Sequence, residues 1–203
     1  MQRAISRLKL GDASSAAADA TEALKIDRRT PRAHAVRATA LARLGDLTGS
    51  LADFAQALAL DPRDADAYAT RAAVYFRKGE AGKSAADAAG ALAIDPRSVP
   101  ALLIRAEARI ALGDWDGAID DGTRALREEP RHSKAYALRG LAKQHKGDFR
   151  GALEDATLAF MLDPLNSEAL VRRSAAKRAL GDLDGAIQDV MSARAIRSAS
   201  QPK

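Results

Sequence analysis

Few residues in this 203-residue sequence have the type and spacing needed for covalent or metal chemistry. Three histidines, His34, His132 and His145, are the candidates for metal ligation or general-base catalysis. They fall on different segments, and none belongs to a recognised metal-binding spacing. Cysteine is absent, which removes thiolate ligands, thiol nucleophiles and disulfides together. The glycines do not cluster into a phosphate-cradling loop, and no nucleophile has a base nearby in sequence. The sequence therefore predicts no catalytic residue, no cofactor and no metal.

Two charged residues nevertheless recur without a miss. Arg3, Arg37, Arg71, Arg105, Arg139 and Arg173 each stand eight residues before a glycine. Asp19, Asp53, Asp87, Asp121, Asp155 and Asp189 stand eight after it. Each arginine directly precedes a small residue (Ala4, Ala38, Ala72, Ala106, Gly140, Ser174), the kind of position where helices touch. Each aspartate lies four before a repeated alanine, on the same helix face. A charge at a helix contact is tolerated when its opposite meets it there. The expectation is a structural ladder of Arg–Asp ion pairs, within a hairpin or to the next one, in preference to a track for a charged ligand.

The elements that must position these residues follow from one period. Gly11, Gly45, Gly79, Gly113, Gly147 and Gly181 recur every 34 residues, each followed by an acid. Ala23, Ala57, Ala91, Ala125, Ala159 and Ala193 keep the same register, as do Asp27, Asp61, Asp95, Glu129 and Asp163. Proline follows the last four of these acids. In the third unit Asp64 is a good N-cap; Thr30, Ser98 and Asn166 match it, whereas His132 is a poor cap. Pro31 suits a first helical position. A helix runs to Lys78, where Gly79 closes it in the left-handed conformation. Glu80 then caps a second helix that ends at Asp95-Pro96. Two helices of about 14 residues joined by a two-residue turn pack antiparallel.

Composition explains why such hairpins must stack. Apolar residues make up 47% of the chain, but 48 residues are alanine and only 4% are aromatic. Burial stabilises by roughly 0.8 kcal/mol per CH₂, so alanine alone builds no conventional core. It does favour helix and lets helix axes approach closely. Leu24, Leu58, Leu92, Leu126 and Phe160 supply bulk near the end of each second helix. Each hairpin buries its stripe only against its neighbours.

The stretches Gly113-Asp-Trp-Asp-Gly-Ala118 and Ala57-Leu-Ala-Leu-Asp-Pro62, repeated in phase, resemble the tetratricopeptide repeat over residues 1 to about 197. The departures are local: serine replaces alanine at Ser50 and Ser84, and the second-helix aromatic survives only as Phe54. The pentatricopeptide repeat of RNA readers is one residue longer and lacks the Asp-Pro ending. The resemblance implies an all-α solenoid, a right-handed superhelix of six repeats at about 1–29, 30–63, 64–97, 98–131, 132–165 and 166–197. Residues 198–203 form a tail.

The resemblance also implies a non-catalytic interaction scaffold whose first helices line a concave groove for a partner's peptide segment. Carried over to this sequence, an apolar centre is expected from Phe76, Leu103, Ile104, Ile110, Leu138 and Leu141. Arg43, Arg77, Lys134, Arg172 and Arg178 flank it, with Glu107 among them. Phe76 and Ile110 also suit core contacts. A clamp for a chaperone's C-terminal tail is not expected, because the family's asparagine positions hold Ile5, Thr39, Ala73, Glu107, Leu141 and Ala175. The alternative is an oligomerisation or regulatory module of a larger enzyme or transporter.

The net charge of +5 is mild and interspersed, so nucleic acid is not an expected partner. No stretch approaches the ~20 apolar residues of a membrane span, and the opening MQRAISRLKL is too polar for a signal peptide, which favours the cytoplasm. The first helix lacks its opening turn, and Arg194 stands where Leu58 stands in the second unit. A weakly capped stack of this kind is expected to be a fragment or terminal module, or to self-associate through an end.

Overall fold

The structure is a computed structural model and describes residues 1–199. Among these residues there are twelve α-helices and no strand. They are α1 Gln2–Lys9, α2 Ala13–Ile26, α3 Pro31–Leu44, α4 Leu47–Leu60, α5 Ala65–Arg77, α6 Ala81–Ile94, α7 Val99–Leu112, α8 Trp115–Glu128, α9 Ser133–His145, α10 Phe149–Leu162, α11 Ser167–Ala179 and α12 Leu183–Ala199. Consecutive helices pair into hairpins, giving an all-α solenoid fold. The chain forms two compact units, Met1–Ile104 and Arg105–Lys203, divided within α7. Helix α12 reaches Ala199, two residues past the end expected at 197. Residues 200–203 of the expected tail lie outside the described residues.

Each turn is built from a left-handed glycine followed by an acid. The six turn glycines have φ between 78° and 91°, a region costly to any residue with a Cβ. Aspartate after the glycine caps the second helix: Asp46 Oδ1 accepts from the Gly49 amide at 2.8 Å, and Asp114 from Gly117 at 2.9 Å. Three expected caps behave differently. Glu80 makes no side-chain cap, because its longer side chain reaches Lys78 and Lys83 instead. Thr30 makes none either; its hydroxyl donates to Asp27 Oδ2 at 2.9 Å, and Pro31 starts the helix without needing a donor. His132 does cap, its Nδ1 accepting from the Ala135 amide at 3.3 Å.

The core of each unit lies between its hairpins. In the first unit Phe54, on α4, is buried with Ala38, Ala42, Leu58, Ala67 and Val74. Ala13, Ala16 and Ala40 form a second cluster, and Ala72, Ala88 and Ile104 a third. In the second unit α9 and α10 approach so closely that a Cβ on Gly140 would lie 3.0 Å from that of Asp155. Within each unit the first helices of successive hairpins touch, α1 with α3, α3 with α5, and α9 with α11. Within each unit the second helices of successive hairpins do not, among the described residues, so each unit is tighter on its first-helix side.

Two deviations from the repeat pattern are buried faults. Ser50 and Ser84 are fully buried where other hairpins carry alanine, and neither hydroxyl has a hydrogen-bond partner. A buried polar group left unpaired costs about 1–3 kcal/mol. Ser50→Ala and Ser84→Ala are each expected to raise unfolding stability by about 1 kcal/mol, partly through alanine's higher helix propensity. Equilibrium denaturation of the single and double variants measures this.

Candidate functional site

The repeated arginines and aspartates meet inside every hairpin, first helix to second, in one fork geometry. Arg37 donates from Nε to Asp53 Oδ2 at 2.6 Å and from Nη2 to Oδ1 at 2.7 Å. Arg71 and Asp87 repeat this at 2.6 and 2.8 Å, and Arg139 and Asp155 at 2.9 and 2.7 Å. Arg105 and Asp121 pair at 2.9 and 2.5 Å, Arg173 and Asp189 at 2.8 and 2.5 Å, and Arg3 and Asp19 at 2.8 and 2.6 Å. Two parallel charge-assisted bonds set the rotation of one helix against the other. The aspartates are the buried partners: Asp121 is fully enclosed, whereas the Arg3 side chain is 71% exposed. The hydrogen bond to its aspartate holds Arg37, Arg71, Arg139 and Arg173 above the ordinary arginine range.

Most of these carboxylates receive a second cation, which the sequence reading missed. Arg7 reaches Asp19 at 2.8 Å, Arg109 reaches Asp121 at 2.6 Å, Lys143 reaches Asp155 at 2.9 Å and Lys177 reaches Asp189 at 3.0 Å. All four stand four residues after the ladder arginine, one helical turn along the same face. That register reads Arg7, Leu41, Tyr75, Arg109, Lys143 and Lys177, so the signal was present. Where Leu41 breaks it, the His34 ring lies beside the aspartate, Nδ1 at 3.1 Å from Asp53 Oδ1. Where Tyr75 breaks it, Arg71 lies over the Tyr68 and Tyr75 rings, 5.5 and 5.9 Å from their centres. Burial alone would raise the Asp189 carboxyl, but the bonds and charges of Arg173 and Lys177 hold it below the usual range. Asp19 is lowered chiefly by its hydrogen bond to Arg3. The ladder is thus fully committed internally.

In the first unit the first-helix face holds an open cleft of about 240 Å³. Ile5, Ala35, Val36, Thr39, Ala67 and Thr70 line it, with Arg32, Asp64 and Asp66 at its edge. Two of the basic residues expected to flank a groove are tied down. Arg77 Nη1 donates to the Ala42 carbonyl at 2.8 Å, and Arg43 Nη1 donates to that of Leu8. Each arginine thereby satisfies the last turn of the preceding first helix, where a cation is also favoured by the helix dipole. Phe76 is half-buried against the Ala72–Ala88–Ile104 cluster. Leu103 and Ile104 are buried, so they contribute packing and little surface. Their neighbour Leu102 is buried too, and a continuous apolar run has no period from which a groove side can be read.

In the second unit Leu138 is likewise buried, while Ile110 and Leu141 are half-exposed. Lys134 pairs with Glu107 at 2.9 Å, and Arg172 with Glu168 at 3.3 Å. Burial pushes the Arg172 guanidinium down, and Glu168 only partly offsets this; its Nε has no partner. Arg178 is exposed but borders a different cleft, beside α12. His145 stacks flat on Trp115, ring centres 4.1 Å apart. Among the described residues no three histidines or acids are placed to hold a metal ion, and no helix is long and apolar enough to cross a membrane.

The ladder generates two expectations. Asp121→Ala leaves Arg105 and Arg109 facing each other in a closed contact and is expected to cost about 3–5 kcal/mol of stability. Asp19→Ala, beside the exposed Arg3, is expected to cost clearly less in the same denaturation series. An aspartate with a depressed folded-state pKa adds stability above its unfolded value, and that contribution is lost as pH falls through the folded one. Asp12, Asp19, Asp27 and Asp189 are all shifted this way. The melting temperature is therefore expected to drop as pH is lowered below about 4.

A family model described as a TPR repeat matches residues 38–79. No curated protein matches the chain. Among solved structures, PilW, a widely conserved type IV pilus biogenesis factor, is similar with a TM-score of 0.86 and 23% identity, over 98% of this chain and 93% of that one. Pseudomonas aeruginosa pilF aligns with a TM-score of 0.84 and 15% identity, over 98% of this chain and 90% of its own. YrrB, a TPR protein with an unusual peptide-binding site, aligns at 0.72 and 19% identity, over 89% and 93%. At these identities the structural likeness speaks for the fold. The matched repeat shares its 34-residue spacing with the rest of the sequence, and the similar structures share its all-α fold.

Proposed function

We propose that this protein is a non-catalytic interaction scaffold that holds a peptide segment of a partner against its first helices. The observation that carries this reading is the first-unit cleft. Its floor combines the apolar Ile5 and Val36 with the smaller Ala35, Thr39 and Thr70. At its edge, Arg32 and Asp66 are exposed, and neither forms an ion pair among the described residues. An apolar strip with an unspent arginine and an unspent aspartate beside it suits a segment with apolar anchors, an acidic group for Arg32 and a basic one for Asp66. The internal commitment of the Arg–Asp ladder supports the same reading, since those charges serve packing and leave the inner face to recognition. YrrB, which shares the fold, is described by its peptide-binding site.

Selection from a random displayed-peptide library tests the reading with the protein as it is. Enriched peptides are expected to carry apolar residues with a nearby Asp or Glu. Val36→Glu and Arg32→Glu are each expected to weaken them at least tenfold, about 1.4 kcal/mol, with helicity unchanged. A library that yields no enriched sequence, or binders indifferent to both substitutions, would overturn the proposal.

A further inference from the structure

Helix α12 carries an apolar stripe that the described residues leave open. Leu183, Ile187 and Met191 are 59%, 59% and 65% exposed. With Val190, Arg178 and Arg194 they border a cleft of about 410 Å³. The same face of the earlier second helices in this unit is never open. There α9 packs against α8 and α11 against α10, covering the positions that correspond to the α12 stripe. Leu153, the counterpart of Ile187 one repeat earlier, is half-buried in this way. The face is therefore shaped to receive a helix.

The charges beside the stripe say which helix. Asp184 and Arg194 lie toward opposite ends of α12, both are exposed, and neither forms an ion pair among the described residues. Two copies of α12 packed antiparallel about the level of Ile187 and Met191 bring Asp184 of each copy level with Arg194 of the other. A parallel arrangement would set like charges against each other. Head-to-tail stacking is not matched either, because the exposed residues of α1 include Gln2, Arg3, Ser6 and Lys9. We propose that α12 is a homodimerisation surface, used by a second copy of this chain in an antiparallel, two-fold arrangement. The contact rests on few apolar side chains, so it belongs to the small, concentration-dependent class of interfaces. It uses a second-helix face and stands apart from the peptide reading of the first-helix side.

Sedimentation velocity of the full chain over a concentration series tests this. The mass is expected to rise from 21.4 kDa toward twice that value as concentration increases. Ile187→Glu is expected to leave a monomer with unchanged circular dichroism, since the side chain is already exposed. Asp184→Arg and Arg194→Asp alone are each expected to weaken the dimer at least tenfold. Mixing these two variants is expected to restore it, because the mixed dimer recovers both opposite-charge pairs. A chain that stays monomeric throughout, or a dimer indifferent to Ile187→Glu, overturns the proposal. Single variants whose mixture fails to associate overturn the antiparallel register.

Discussion

A carboxylate carried into the contact between two helices has to be met there by a cation, and much of this molecule's local geometry answers to that requirement. Each hairpin sets an aspartate one helix deep and brings an arginine across to it in a two-bonded fork. The fork has one good orientation, so it sets the rotation of the paired helices as well as their distance. The small residue beside each arginine is the steric counterpart of the same constraint. Side chains such as Ala38 and Ala72, and the bare backbone of Gly140, let the helices come near enough for the fork to close. In most hairpins a second cation, or an aromatic ring beneath the arginine, completes the environment.

Packing works alongside this polar frame and is thinner than usual. With alanine supplying much of the apolar content, a hairpin gains little by folding alone and gains more by lying on its neighbour. The clusters around Phe54 and around Ala72, Ala88 and Ile104 draw residues from successive hairpins. Arg43 and Arg77 add a further link by donating to the last turn of the preceding first helix. Interactions of this kind act between sequence neighbours, so stability is expected to be distributed along each unit and not concentrated in one centre.

Function is left to faces that the frame does not consume. The first helices touch one another within each unit, and the side chains pointing away from the packing, such as Val36, Thr39 and Thr70, line a recess with unspent charges beside it. On the final hairpin, α12 keeps an apolar stripe that its counterparts hide under a following helix. On our proposals the first face takes a segment of another protein, and the second takes a copy of this chain. The ladder is charged and regular, yet its hydrogen bonds are already made.

Much of the fold was legible before any coordinates, because period is a one-dimensional property. The spacing of the turn glycines, the capping acids and the Asp-Pro stops determined helix lengths, turn conformations and the antiparallel pairing. The identical phase of arginine and aspartate was enough to expect an ion-pair ladder. Local substitutions of chemistry were harder to read: His132 caps a helix despite its poor propensity, whereas Glu80 and Thr30 spend their side chains elsewhere. Only the tertiary structure decided which apolar residues are buried and which stay open. Leu103, Ile104 and Leu138 lie at positions compatible with a groove, but they are turned into the stack, while Arg43 and Arg77 are spent on neighbouring carbonyls. The reason is physical: sequence spacing fixes a residue's angle around its own helix, but burial depends on where the adjacent hairpin comes to rest.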